Sequence, residues 1–348
     1  MEELKTKRMN STNIKEKSWI QYQRNISRLA KAITGQEYKN NEFLIMGRKS
    51  VVEYIDKSSS DAVKRLLYSV ILIMLAPDKN DKEAQNTMDY KYYQKKLQAL
   101  AQKYNDDKAT QIKSVKQDEN WESWDDILQL QKIMALEVKK LFRPLIGVKG
   151  VKIKGKDKLK KYGKDINRKQ RTALQNLLIV SLYTLIKPRR LDYANMDVLS
   201  IKQYNTMSSE DRQQKNFLVI VGKNKKFFSF GKQAQKNQNR DKHGVKQPVY
   251  ILPVPSKLNK ILNTYLLFNE GPSLLYNTRG GAISGDGLSK AMIKIMKARF
   301  KKNISPTMLR TIYLSDKHKD DVGLEDKQTT AEEMGHTVAT SNKNYQKK

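Results

Sequence analysis

Apolar residues in the first third of the chain recur at intervals of three and four. Ile14, Trp19, Tyr22, Ile26, Leu29 and Ile33 form one such run, with Ser11 and Thr12 ahead of it as candidate caps and Gly35 as its stop. The same spacing predicts helices over residues 50–57, 61–76 and 90–104, the 61–76 helix ending where Pro77 removes a backbone donor. The longest unbroken apolar stretch, 70–76, lies inside that helix. It is far too short to cross a bilayer, so it predicts a helix buried in a core. Between 105 and 120 the periodicity gives way to Asp, Lys, Gln, Ser and Thr, the composition of an exposed linker.

Beyond it the pattern changes. Trp121 and Trp124 precede a predicted helix over 125–141, with Asp125 and Asp126 at its positive N-terminal end. A lysine- and glycine-rich stretch at 148–164 reads as a flexible loop, and 170–186 as a long apolar helix closed by Pro188. Residues 217–221, 226–230 and 248–252 are short β-prone runs between turns rich in glycine and lysine, which predicts a small antiparallel sheet. Helical spacing then returns over 258–268, 288–300, 307–315 and 329–334. The expected fold is mainly α with a small antiparallel sheet (α+β). At 348 residues it exceeds what one core usually absorbs, so two domains are expected: a helical domain over 1–107, a linker over 108–120 and a second domain over 121–348.

Charge narrows the partners. Lys and Arg total 68 against 36 for Asp and Glu, a net charge of +32 spread along the whole chain. That excess is the footprint of a polyanion binder. A basic protein that binds an acidic membrane normally carries an amphipathic helix or a lipidation signal, and no apolar run here reaches membrane-spanning length. There is no cysteine, and His243, His318 and His336 show no ligand spacing, so neither a structural zinc site nor any other metal or cofactor is expected. Without a secretory apolar segment, the expected location is intracellular.

Phosphodiester transfer without a metal needs a nucleophile, cationic donors on the oxygens that gain charge, and an acid for the leaving oxygen. Three segments of the C-terminal half carry such groups. Met334-Gly335-His336 stands nine residues, counted from the histidine, before Tyr345; Ser305-Pro306-Thr307-Met308-Leu309-Arg310 lies upstream; and Lys187-Pro188-Arg189-Arg190-Leu191-Asp192-Tyr193 follows the apolar helix. Taken singly each is ordinary. Tyr345 is one of 17 tyrosines, and a Pro-Arg-Arg segment can be a helix start with solvated charges.

In this order and spacing, the segments resemble the tyrosine recombinases, or integrases. The Gly-His ending resembles that family's closing motif, with Tyr345 in the place of its nucleophile, and Arg310 fits its second arginine. Thr307 stands where the family usually has a histidine; a hydroxyl can donate to phosphate but is no general acid or base near neutral pH. The family's first arginine is followed by an acid at plus three and apolar residues at plus four and plus seven. Counting from Arg189 gives Asp192, Tyr193 and Met196; counting from Arg190 gives Tyr193, Ala194 and Asp197, so the register favours Arg189. Family members also carry a lysine on the turn between the second and third strands of their sheet. If the three β-prone runs are those strands, Lys232 holds that place, and Lys223, one hairpin earlier, is its competitor.

The resemblance extends to the first domain, which looks like the helical core-binding domain of integrases. The Pro-Arg-Arg-Leu-Asp-Tyr segment and the Met-Gly-His ending look nearest to integrases of large eukaryotic DNA viruses and virophages, which would act in the nucleus or a viral replication compartment on genome integration. It implies that two domains clamp duplex DNA through phosphate contacts. Tyr345 would attack the scissile phosphorus to give a 3′-phosphotyrosyl link, with Arg189, Arg310 and His336 neutralising the developing charge, Thr307 beside them and Lys232 protonating the 5′ oxygen. Asp192 and Arg190 would support the site, and Lys223, Lys225 and Lys226 would hold DNA. Strand exchange implies four copies on two duplexes. The rivals are relaxation of DNA in the manner of a type IB topoisomerase and a DNA-binding protein whose catalytic set has decayed. Metal-dependent nuclease chemistry would need clustered carboxylates, and the acids here are scattered.

Overall fold

The structure is a computed structural model that describes residues 2–12, 14–146, 166–231, 249–269, 271–319 and 322–347, with only the backbone for 143–146 and 343. The chain divides into two compact units, Met1–Thr110 and Gln111–Lys348. It is mainly α-helical with one small sheet.

The first unit holds α1 (Glu2–Ser11), α2 (Glu16–Thr34), α3 (Glu42–Met46), α4 (Arg48–Asp56), α5 (Asp61–Leu75), α6 (Lys82–Asn86) and α7 (Met88–Ala109). The periodic face of α2 buries Trp19, Ile26 and Leu29, and Gly35 closes the helix at φ +71°, a left-handed conformation that costs glycine nothing. Ser11 and Thr12 do not cap α2. They sit at the end of α1, where their hydroxyls donate to the carbonyls of Lys7 and Arg8. In α5 the whole run from Val70 to Met74 is buried, because this helix has neighbours on several sides rather than on one stripe. Ala76 leaves the helix at φ −133° and ψ 77°, outside the α region that a following proline disfavours. Tyr93 of α7 is fully buried and donates to the Leu44 carbonyl at 2.6 Å, so the polar end of this core tyrosine is satisfied.

The stretch expected as a linker is largely helical. The α7 helix continues to Ala109, and α8 (Val115–Glu119) starts from a capping box between Ser114 and Gln117. The second unit continues with α9 (Trp124–Ile146) and α10 (Arg168–Thr184); the loop expected over 148–164 lies outside the described residues. After α10 come β1 (Asp197–Ser200), α11 (Ile201–Thr206), α12 (Ser209–Gln214), β2 (Asn216–Ile220), β3 (Lys226–Phe230) and β4 (Tyr250–Pro253). The helices α13 (Ser256–Leu267), α14 (Gly285–Phe300), α15 (Pro306–Lys317), α16 (Leu324–Glu333) and α17 (Val338–Asn344) complete it.

The sheet is mixed, with strand order β1-β2-β3-β4. Its β2–β3 and β3–β4 pairs are antiparallel as expected, but β1 adds a parallel edge, with Asp197 opposite Phe217 and Ser200 opposite Ile220. Parallel neighbours need a crossover, and α11 with α12 provides it. This extra strand renumbers the hairpins. The turn between the second and third strands is now 221–225, which carries Lys223 and Lys225, while Lys232 follows the third strand and lies outside the described residues. Leu177, Leu178 and Leu182 of α10 pack in one core with Phe228 and Phe230 of β3 and with Leu288 and Met292 of α14. Among the described residues, no helix is long and apolar enough to cross a membrane.

Candidate active site

The site is assembled from the end of α10, the buried face of α15 and the turn between α16 and α17. Tyr183, Tyr193, Phe228 and Phe230 make an aromatic floor, with Tyr193 edge-on to the other three at 5.5 to 6.1 Å. Arg189 lies on this floor, its guanidinium carbon 3.9 Å from the centre of the Phe230 ring. Its side chain is wholly buried, and a buried cation needs fixed partners. Asp192 supplies one, accepting from Nε at 2.7 Å, and the Glu333 carbonyl accepts from Nη1. Tyr193 and Met196, at plus four and plus seven from Arg189, are both buried.

The second arginine comes from α15. Ser305 caps that helix by accepting from the Met308 amide, and Pro306 occupies its first turn, where a missing N–H costs nothing. Arg310 then points into the core with 0% exposure, and Nη2 donates to the Met334 carbonyl at 3.4 Å. Burial, partly offset by Tyr345, pulls its pKa down to about 10, which still leaves it charged at neutral pH. Thr307, three residues earlier, is exposed in the first turn, and its hydroxyl has no partner among the described residues.

The Gly-His pair has a structural reason. The α16 helix ends in a Schellman turn, with the Gly335 amide bonded to the Glu332 carbonyl and the His336 amide to the Ala331 carbonyl. Gly335 sits there at φ +72°, and a Cβ on it would lie 2.6 Å from Arg189 Nη2. Two demands, a left-handed backbone and clearance for the guanidinium, meet at one position. The carbonyls that Arg189 and Arg310 engage belong to the last turn of α16, where helix carbonyls lack partners and the dipole favours cations.

From this turn, Thr337 caps α17 and Tyr345 ends it. The tail is tied to α15: Ser315 donates through Oγ to the Tyr345 carbonyl at 3.4 Å and accepts from the Lys347 amide at 2.7 Å. Tyr345 is thereby held at 3% exposure. Its ring stacks on His336 at 5.2 Å and 24°, and the Arg310 guanidinium lies 4.5 Å over it. Its hydroxyl accepts from Arg190, through Nε at 3.0 Å and Nη2 at 2.9 Å. His336 places Nδ1 3.1 Å from the Thr337 carbonyl. Burial first, then Arg310, drops the His336 pKa from 6.5 to about 3, so the ring is neutral, with Nδ1–H donating and Nε2 carrying the lone pair.

On the basic residues of this cluster, three buried nitrogens have no partner: Arg189 Nη2, Arg310 Nε and His336 Nε2. Asp192 is the only carboxylate bonded to the three guanidiniums among the described residues, which leaves an excess of positive charge around Tyr345. Such a cluster is suited to an oxyanion. No group of His, Cys, Asp or Glu that could hold a metal is found among the described residues.

The structure thus brings together Arg189, Arg190, Asp192, Arg310, His336 and Tyr345 and leaves other candidates apart. Lys226, expected on DNA, is instead 4% exposed at the start of β3, where Nζ donates to the Lys223 carbonyl at 2.9 Å, to Asn259 at 2.7 Å and to Asn263. Burial lowers its pKa. A lysine so enclosed is a structural clamp on the turn. Lys223 and Lys225 are exposed on that turn. The contact between Arg190 and the Tyr345 hydroxyl had no sequence signal, because residues 155 apart meet only through the tertiary fold. Comparison with protein-family models and with curated proteins finds no match to this chain.

Proposed function

We propose that this protein cuts and rejoins DNA strands in the manner of a tyrosine recombinase, with Tyr345 as the nucleophile. The observation that carries the reading is the set of three unpartnered buried atoms, on Arg189, Arg310 and His336, around one buried tyrosine. Leaving such atoms unsatisfied costs about 1 to 3 kcal/mol each, and a phosphate oxygen would satisfy them. The net charge of +32 supplies the long-range attraction for duplex DNA.

In this reading, the scissile phosphate enters between the two arginines, whose rigid forks hold its non-bridging oxygens. His336 takes up a proton as the anion arrives and then donates from Nε2. Tyr345 Oη gives its proton to water and bonds to phosphorus, the bond to the 5′ oxygen breaks, and the 5′ oxygen takes a proton from a lysine. With β1 counted, Lys223 is the lysine on the turn between the second and third strands and takes that role in place of Lys232. Because Tyr345 is only 3% exposed, α17 has to shift for DNA to reach it. Attack by a 5′ hydroxyl of another duplex reverses the chemistry, and four copies on two duplexes complete an exchange.

The test is Tyr345→Phe. The variant is expected to bind duplex DNA with unchanged affinity and salt dependence, yet to form no detergent-resistant adduct on nicked duplexes. An adduct from the phenylalanine variant contradicts the reading.

A further inference from the structure

The Tyr345 hydroxyl accepts two hydrogen bonds, both from Arg190, and among the described residues no other group bonds to it. We propose that Arg190 is a further catalytic residue, whose guanidinium stabilises the Tyr345 oxygen as a phenolate and so performs the activation that Thr307 does not. The proposal rests on the reading of Tyr345 as the nucleophile.

The geometry supports it in three ways. First, Nε and Nη2 converge on one oxygen as a fork, at 3.0 and 2.9 Å, and donors to an ionised oxygen bind it more strongly than they bind the neutral hydroxyl. Second, the charge of Arg190 is free for this task. Asp192 is engaged by Arg189 at 2.7 Å, and no carboxylate forms an ion pair with Arg190 among the described residues. Third, its backbone is fixed, because the core residue Tyr183 donates its hydroxyl to the Arg190 carbonyl.

Among the other charged or titratable groups near Tyr345, the arginines favour the anion, His336 is uncharged until phosphate binds, and the Asp192 carboxylate is paired with Arg189. Arg310 covers the ring face from α15 and His336, uncharged, stacks from the α16–α17 turn; behind them lies the Arg189 and Asp192 pair. Thr307 offers neither charge nor a base, and its hydroxyl reaches none of these groups.

A free phenol gives up its proton near pH 10, so attack at neutral pH draws on a small ionised fraction unless the anion is held. The phenol proton passes to water, Oη bonds to phosphorus, the bond from phosphorus to the 5′ oxygen breaks, and that oxygen takes a proton from a lysine or water. Arg190 neither gives nor takes a proton.

The experiment uses the full chain and a pool of random-sequence duplexes carrying 5′-bridging phosphorothiolates, from which sulfur leaves without being protonated. Only activation and attack then set the rate of adduct formation, which is followed in single turnovers from mildly acidic to strongly alkaline buffer. Arg190→Ala removes the fork from the Tyr345 oxygen, and the deficit it causes is expected to depend on pH. The variant is about tenfold slower at neutral pH and converges on the native rate in alkali. Arg190→Lys, which keeps a cation without the fork, falls between the two. Arg190 is exposed, so its replacement leaves the core intact, and circular dichroism melting of each variant verifies this.

A loss by the same factor at every pH overturns the proposal, as does a variant faster at every pH, which would make Arg190 a latch. Both outcomes leave Tyr345 as the nucleophile. No adduct from the native chain on this pool overturns the reading of Tyr345 and the role of Arg190 together.

Discussion

The imidazole of His336 lies against the ring of Tyr345, with centroids 5.2 Å apart and planes 24° from parallel. Burial there, with Arg310 close by, depresses the histidine to about 3 from 6.5. The folded chain therefore binds fewer protons than the unfolded chain between those values. The stability this gives is complete above pH 6.5 and is lost as pH falls toward 3. His336→Gln, which cannot take the proton, should remove a slope of at most about 1.4 kcal/mol per pH unit from urea unfolding between neutral and mildly acidic buffer. His318, whose pKa is also lowered by burial and by Lys327 and Lys317, keeps its part of the slope in both proteins. Equal slopes would mean that His336 is not held neutral.

Gly335 and Gly280 separate backbone strain from collision. Both have positive φ, but a Cβ on Gly280 meets nothing within 4 Å, whereas one on Gly335 meets Arg189 Nη2 at 2.6 Å. Gly280→Ala should cost the strain alone, about 1 to 2 kcal/mol. Gly335→Ala should cost more and also lose adduct formation, because the guanidinium has to move. Thermal melts and adduct yields of the pair measure the difference.

The Asp192 carboxylate is the anionic partner of the wholly buried Arg189. Asp192→Asn leaves that cation without its counter-charge, and about 3 kcal/mol of stability in the second unit should go with it. Urea unfolding followed by the fluorescence of Trp121 and Trp124 reports it. A loss below about 1 kcal/mol would show that the helix carbonyls suffice to hold Arg189.

Lysines of one short segment should behave in opposite ways. Lys223→Ala and Lys225→Ala, at exposed positions, should each reduce the dependence of DNA affinity on salt by about one released counterion. Lys226→Met should leave that dependence unchanged and lower the melting temperature, because Asn259 and Asn263 lose their donor. Salt titrations of binding to one duplex, run beside the melts, distinguish the two classes.

What was legible in the sequence followed the length of each element. The helix α2 repeats its apolar positions over several turns and ends at a glycine, and α5 carries a continuous apolar run ahead of a proline, so both were readable. The helices α3, α6, α8, α11 and α12 span five or six residues, too few to display a period. The strand β1 is four residues at a sheet edge, without the alternation of a half-buried strand, and missing it shifted the expected lysine from the 221–225 turn to Lys232. The family resemblance singled out Arg189, Arg310, His336 and Tyr345, and these four come together in the structure. Spacing could not tell Lys226, enclosed by side chains from α13, from the exposed lysines beside it. Nor could it show that adjacent arginines part company, Arg189 turning to Asp192 and Arg190 to Tyr345.

A covalent bond between Tyr345 and a DNA phosphate is read by mass spectrometry of the trapped adduct. After digestion of protein and DNA, the peptide containing Tyr345 is expected to carry a nucleotide 3′-phosphate on the phenolic oxygen. A nucleotide on any other residue, or adducts whose Tyr345 peptide is unmodified, would contradict it.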